Sequence, residues 1–349
     1  MRKSISISLM IALIALFASS CKSEPVHEYS LIIRNDEVGH WSECSECGEI
    51  IGNKEEHLFE RNKCSCGRYD KPIEIIDRYY DDLKSALDYF DSMKNNANHK
   101  DVTINIVKDI DMKDIEWTPF NVDGYHGAGV VTIEGNNHKI SNLSAPLFSG
   151  GFAGTAGIVI NDLTISDSEI KSSNNQGIGA FIECVDSMPK IDLKNCHLLN
   201  SSISQAVNTA TPRVGGLIGW TSGYNNQSDG PVDCHVSIEG CSVESCVIEG
   251  INGSVGGIIG HAGANPATYH EIKNCVVKDT RLNSIDDGGW RVGVVVGTAN
   301  VGEIIIENIS ESDNSLSQTG KEAPEHPLYG RFIPGSTGKL EIDGNEIKE

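Results

Sequence analysis

The sequence predicts an all-β chain: a right-handed parallel β-helix (solenoid) with an N-terminal capping helix and a small N-terminal Cys/His module. Three observations lead there. One apolar, glycine-punctuated heptad is spelled three times, as "VGGLIGW" at 214–220, "VGGIIGH" at 255–261 and "VGVVVGT" at 292–298. Short strand-like cores that end in a turn ("HKISNL", "VINDLT", "DLKNCH", "SIEGCS", "EIKNCV", "IIENIS") put Leu143, Leu163, Cys196, Cys241, Cys275 and Ile309 at one repeated position, 20, 33, 45, 34 and 34 residues apart. A period in this range, with all-strand units, is the mark of a solenoid. Aromatics are only 6 % of the chain, while glycine is abundant at 36 of 349 residues. That suits tight turns and aliphatic stacks better than a sandwich or barrel core.

The chain opens on a targeting segment, 1–20. Arg2 and Lys3 are its positive region and "ISISLMIALIALFA", 5–18, its apolar region, too short to span a bilayer comfortably. "ASSC" at 18–21 resembles a bacterial lipobox. That resemblance implies a diacylated Cys21 as mature N-terminus and a lipid anchor in the outer membrane, at the cell surface. An ordinary signal cut after Ser20 is the other reading. Residues 21–39, polar and containing Pro25, are expected as a tether. With 28 Lys+Arg against 49 Asp+Glu, the formal charge is −21. Such a polyanion is repelled by nucleic acid and by anionic lipid heads, so the membrane is met only through the lipid.

Residues 40–69 form the Cys/His module. Cys44 and Cys47 form C-x-x-C before Gly48; Cys64 and Cys66 form C-x-C before Gly67, sixteen residues further on. Two tight thiolate pairs can each bite one edge of a tetrahedral zinc, and a glycine lets the backbone turn toward the metal. His40 and His57 are alternative ligands. Two disulfides are the competing reading for an exported protein. The segment resembles small zinc-ribbon-like Cys/His modules of bacterial surface proteins, through "HWSECSECG" and "HLF". A zinc here would be structural, a staple for a piece with little core.

Residues 70–349 begin with "PIEIIDRYYDDLKSALDYFDSM". Ile73, Ile75 and Ile76 suggest a strand, and Tyr79, Leu83, Leu87 and Phe90 fall at helical spacing over 77–93, the capping helix. Val102, Ile104 and Ile106 alternate as a strand. From there the pattern is strand and turn only. In a parallel β-helix each strand pairs with those above and below at about 4.8 Å, and inward side chains stack into a dry column. The heptad then reads as one face of a rung, written once per pair of coils. Alternation would place Val214, Gly216 and Ile218 on one side and Gly215, Leu217 and Gly219 on the other, and the sequence does not choose the interior. Cys196, Cys241 and Cys275 read as buried thiols serving as small hydrophobes. "RFIPGSTGKLEIDGNEIKE" reads as a last strand pair shielding the open end.

"DMKDIEWTPF", "VVTIEGNNHKISNL", "PLFSGGFAGTAGIVINDLTISDSEI" and the two "VGG[LI]IG" copies resemble bacterial surface β-helix proteins with GLUG-type repeats, over about 71–310. The resemblance implies surface presentation, in adhesins or on stalks, and no single activity. H-E-x-x-H is absent.

Two kinds of site follow. Trp220 and His261 share one repeat position, and Tyr224, Tyr269 and Trp290 lie in or beside polar inserts, where aromatic faces could stack on sugars or clamp a partner. Packing at the corners is the competing role for the two tryptophans. Asp286 and Asp287, with Arg291, are the best catalytic candidates, though adjacent Asp residues in a glycine-bearing turn are ordinary turn chemistry. The expected work is therefore adhesion or ligand binding, with a glycan or a host or surface protein as partner. A polysaccharide lyase or glycoside hydrolase is the second reading, and a passive stalk the third; enzymatic activity is the lesser expectation.

Overall fold

The computed structural model describes residues 31–46, 48–75, 78–93, 101–121, 127–150, 155–172, 177–186, 188–205, 213–222, 234–263, 268–285, 290–300, 302–321, 327–333 and 338–348. Its strands fall into two compact units, one up to Arg68 and one from Tyr69 onward.

In the first unit, β1 (Leu31–Asn35), β2 (Gly39–Cys44) and β3 (Ile50–Glu56) form an antiparallel sheet in that order. β1 falls inside the stretch expected as a tether, and its five residues pair along β2. β4 (Phe59–Glu60) and β5 (Lys63–Cys64) make a hairpin. Its turn residues Arg61 and Asn62 both have positive φ, as a two-residue turn of matching twist needs. Little is buried: among the described residues the buried apolar side chains are Cys44 and Cys64.

The second unit is β throughout apart from one helix. β6 (Ile73–Ile75) pairs antiparallel with β7 (Arg78–Tyr80) and β8 (Val102–Ile106). The helix, α1, spans Leu83–Met93. It starts later than its periodicity suggests, because Asp82 caps it: the carboxylate accepts from the Ser85 N–H at 2.7 Å and its hydroxyl at 3.0 Å. Tyr79 therefore lies in β7. Leu83, Ala86 and Leu87 bury the inner face. Among the described residues no helix is long and apolar enough to cross a membrane.

From Gly127 to Phe332 the named strand pairs are parallel, and strands recur in five sets, one of which, His197–Leu199, Ser242–Glu244, Val276–Lys278 and Ser310–Ser312, follows the first set past a turn. The first runs through the strands starting at Gly127, Thr155, Lys190, Cys234, Thr268 and Glu303, ending at Lys339–Ile342. Its register joins Ile158, Ile191, Val236, His270, Ile304 and Leu340, steps of 33, 45, 34, 34 and 36 residues. The second set holds Glu169–Ser172, Ser202–Gln205, Val247–Ile251, Arg281–Ile285 and Ser315–Gln318. The third holds Arg213–Gly215, Ser254–Gly256 and Val292–Gly293, and the fourth runs from Phe120–Asn121 through Ile218–Ser222, Ile259–Ala262 and Val296–Ala299 to Tyr329–Phe332. The strand Asn345–Ile347 folds back antiparallel on Lys339–Ile342 across Asp343 and Gly344, both at positive φ, and covers that edge.

Each heptad spans a strand of the third set and one of the fourth, bending at Gly216 and Leu217. It occurs once in every repeat, not once in two: Val214, Val255 and Val292 are direct neighbours, as are Ile218, Ile259 and Val296. The bend also breaks the strict alternation. Val214, Leu217 and Ile218 are all fully buried. The glycines meet backbone: a Cβ on Gly216 would lie 2.0 Å from the Gly257 carbonyl oxygen, and one on Gly260 2.6 Å from the Val214 nitrogen.

Turns are stacked as well. Asp162, Asn195, Gly240, Asn274 and Asn308 turn at positive φ after the first set, and Asn142, Asp167, Asn200, Ser245, Asp279 and Asp313 at a second corner. Asn and Asp tolerate this conformation best after glycine. Neighbours bond along the stack, Asn195 to Asp162 at 2.8 Å and Asn308 to Asn274 at 2.7 Å. Leu163, Cys196, Cys241, Cys275 and Ile309 follow the first corner in one column, as their flanking registers require. Leu143 does not join them. It follows the second corner, where its N–H donates to Ser168 Oγ at 3.0 Å.

Candidate metal centre and an arginine–aromatic face

The antiparallel register of β2 and β3 decides which side chains can share an ion. His40 pairs with Glu55 and Gly39 with Glu56, so His40 and His57 emerge at the same end of the sheet, their rings stacked at 5.6 Å. The β4–β5 hairpin brings Cys64 and Cys66 to that end. Ligand atoms of His40, His57, Cys64 and Cys66 all lie within 4.8 Å of one another. Three of the edges are 3.5 Å (His57 Nδ1 to Cys64 Sγ), 3.5 Å (His57 Nδ1 to Cys66 Sγ) and 3.7 Å (His40 Nδ1 to Cys64 Sγ). A tetrahedron with Zn–S near 2.3 Å and Zn–N near 2.0 Å has edges of roughly 3.3–3.8 Å, so the donor set fits such an ion.

The surrounding bonds aim the ligands. His57 Nε2–H donates to the Asp36 carbonyl at 2.7 Å, and His40 Nε2 lies 3.7 Å from Glu55 Oε2. Both rings thus turn Nδ1 toward the sulfurs. The Asp36 carboxylate accepts from the Val38 and Gly39 N–H groups and pairs with Lys54, the largest of the causes that hold its pKa at about 2. The Cys66 N–H and then His57 favour the Cys64 thiolate, lowering its pKa to about 6. Gly67 turns at φ 92° with its N–H on the Cys64 carbonyl.

The ligands expected as Cys44, Cys47, Cys64 and Cys66 are therefore redistributed. The two alternates, His40 and His57, join the second cysteine pair. Cys44 is buried at the far end of β2, roughly 13 Å along the strand from His40, which is too far to share the ion. Cys47 lies outside the described residues, as do Cys21, Tyr224, Asp286 and Asp287.

In the second unit, the fourth strand set puts Cys184, Trp220, His261, Thr298 and Arg331 in one row of neighbours. The third set places Arg213 beside Ser254, with Arg291 following by its carbonyl bond to the Val255 N–H. The Arg213 guanidinium lies over the Trp220 ring, its carbon 4.1 Å from the centroid. Ser254 Oγ and Thr298 Oγ1 are 2.7 Å apart. His261 Nε2–H donates to the Gly263 carbonyl at 3.1 Å. Burial first, then the charge of Arg213, push the His261 pKa down to about 3, with Arg291 adding to the effect. The ring is neutral at physiological pH.

Trp220, His261, Trp290 and Arg291 are half-buried. Trp290 packs on the core and donates Nε1–H to the Val292 carbonyl, a packing role. Tyr269 is not in a loop. It lies in the strand Thr268–Lys273 of the first set, 4.6 Å from the His235 ring, with its hydroxyl on Glu271 at 2.9 Å. It belongs to a different sheet from Trp220. Arg213 escaped sequence reasoning, although the signal was there: the residue before each heptad is Arg213, Ser254 or Arg291.

No protein-family model matches the chain, and no curated protein matches it. Among solved structures it is similar to a Bacteroides ovatus protein described as a "putative immunoglobulin A1 protease", at 17 % identity and a TM-score of 0.46, over 71 % of this chain and 73 % of that one. A likeness of that extent carries no argument about activity. The chain is an all-β protein of parallel sheets, with a Cys/His cluster able to hold a metal and an arginine–aromatic face on its stacked strands.

Proposed function

We propose that the chain is an exported, lipid-anchored surface protein that binds a glycan or a host or surface protein on a right-handed parallel β-helix with GLUG-type repeats. The observation that carries the binding reading is the row Trp220–His261–Thr298 with Arg213 and Arg291 beside it. Strands spaced about 4.8 Å apart display such side chains at a fixed rise, as recognition of an extended ligand requires. The winding is supported by the five parallel strand sets and the stacked left-handed turns. Arg2, Lys3, the apolar stretch 5–18 and Cys21 support the anchor. The Cys2His2 set supports a structural zinc, with His40 and His57 as neutral ligands and Cys64 and Cys66 as thiolates.

The test is retention of the full chain, in detergent micelles, on immobilised host and plant glycans and surface proteins, with the eluate assayed for new reducing ends and unsaturated uronates. Retention without products is expected. Products from any substrate overturn the binding reading in favour of a lyase or hydrolase; neither retention nor products leaves a stalk.

A further inference from the structure

The composition makes one face of this protein unusual. The chain carries −21, yet one arginine opens the first strand of the third set, another directly precedes the third, and Arg331 ends the adjoining row. Arg213 is not a loosely tethered cation. Its guanidinium carbon lies 4.1 Å from the centroid of the Trp220 ring, a contact that holds the group beside that ring. Both Arg213 and Arg291 act on His261, since their charges are among the causes opposing its protonation. Arg213 and Arg291 stand at the strands either side of Ser254, and on the middle strand pair lies the neutral imidazole of His261, the register neighbour of Trp220. That imidazole spends its Nε2–H on the Gly263 carbonyl and keeps Nδ1 as an acceptor. Thr298, its neighbour in the row, is buried with its hydroxyl on Ser254.

We infer that Arg213, Trp220, His261 and Arg291 form a subsite for the carboxylate-bearing ring of an acidic sugar, a uronic or sialic acid residue within a glycan. The inference rests on the binding reading above and names its ligand class. A planar guanidinium matches the two oxygens of a carboxylate in a bidentate pair. A neutral imidazole acceptor matches a sugar hydroxyl, which a simple anion lacks. An acidic glycan is repelled by most of this surface, so the subsite would also fix where along the chain it docks.

The test titrates the full chain with two matched pairs, trigalacturonate against its methyl ester and 3′-sialyllactose against lactose, by calorimetry and tryptophan fluorescence. For at least one pair the acid should bind at least tenfold tighter than its neutral counterpart. Arg213→Gln and Arg291→Gln should each weaken the acid at least tenfold while moving the neutral sugar less than twofold, and Arg213→Lys should recover only part of the loss. Where a Gln variant fails to fold, the acid-to-neutral ratio of the wild type carries the test. Equal binding of acid and neutral sugars, or Gln variants that leave acid binding intact, overturns the subsite while glycan binding stands. No binding of any of the four, with retention on other glycans, overturns it too. Loss of retention across the whole panel removes the binding reading itself.

Discussion

Removing the zinc proposed for the Cys/His cluster should unfold the first unit and leave the second folded. The magnitude follows from what the first unit buries. Among its described residues only Cys44 and Cys64 are buried apolar side chains, at 2 % and 3 % exposure, while Ile33, Val38 and Leu58 are 56 %, 67 % and 83 % exposed. Two buried thiol side chains contribute about 1–2 kcal/mol each. A structural zinc contributes about 10–16 kcal/mol at neutral pH. The metal thus outweighs the core several-fold, whereas the second unit carries an unbroken apolar cluster from Ile73 to Leu340. The assay is amide exchange by mass spectrometry on the full chain, before and after chelation, with zinc measured in the same samples. Peptides covering β2 and β3 should lose protection on chelation, and those covering 158–166 and 190–194 should keep it. Protection of β2 and β3 that persists after zinc is gone would refute the reasoning, as would full protection in a His57→Ala, Cys66→Ser double variant.

Three further outcomes are expected. His270 is fully buried in the otherwise aliphatic register of Val236 and Ile304, with Nε2 at 2.8 Å from Thr221 Oγ1, and burial lowers its pKa to about 4. A depressed folded-state pKa means stability that is complete above the unfolded value, near 6.5, and lost as pH falls toward 4. The loss is about 3 kcal/mol, read from urea unfolding at pH 7 and pH 4, and His270→Phe should flatten the profile. Gly260→Ala would set a Cβ 2.6–2.7 Å from three backbone atoms, Val214 N, Gly219 O and Val214 C, so it should cost about 3 kcal/mol and lower Tm by several degrees; an unchanged Tm would contradict the close approach. Cys196, Cys241 and Cys275 are 0–1 % exposed, their thiols donate to nearby carbonyls, and Cys241 and Cys275 are pushed well above the usual thiol range by their neighbouring thiols. Iodoacetamide should label them only after unfolding, and labelling in the native protein would show that the column opens.

The repeat was legible because parallel neighbours wear the same chemistry. The three heptads align in the structure as they align in the sequence, and the spacings 33, 45, 34 and 34 are the strand-to-strand steps of the first set. Leu143 was misplaced because both corners use the same local device, an Asn or Asp at positive φ followed by a buried residue. "SNL" and "NDL" do not say which corner they turn. A fourth copy of the heptad position, Ile178 to Cys184, went unseen because Ala180 and Glu183 replace two of its three glycines, although Ile178 bridges Val214 and Ile182 pairs with Ile218. The metal ligands depend on the register of β2 against β3, which spacing along the chain does not encode. The Arg213–Trp220 contact joins two strand sets across a bend, and only the folded geometry brings it together.

Binding of ligand on the row through Trp220 and His261 is read out by hydroxyl-radical footprinting of the full chain, alone and saturated with a glycan that retains it. Oxidation of Trp220 and His261 should fall on binding, while that of Tyr269, in a different sheet, stays unchanged. Protection of Tyr269 with Trp220 and His261 still oxidised would place the ligand on the other sheet.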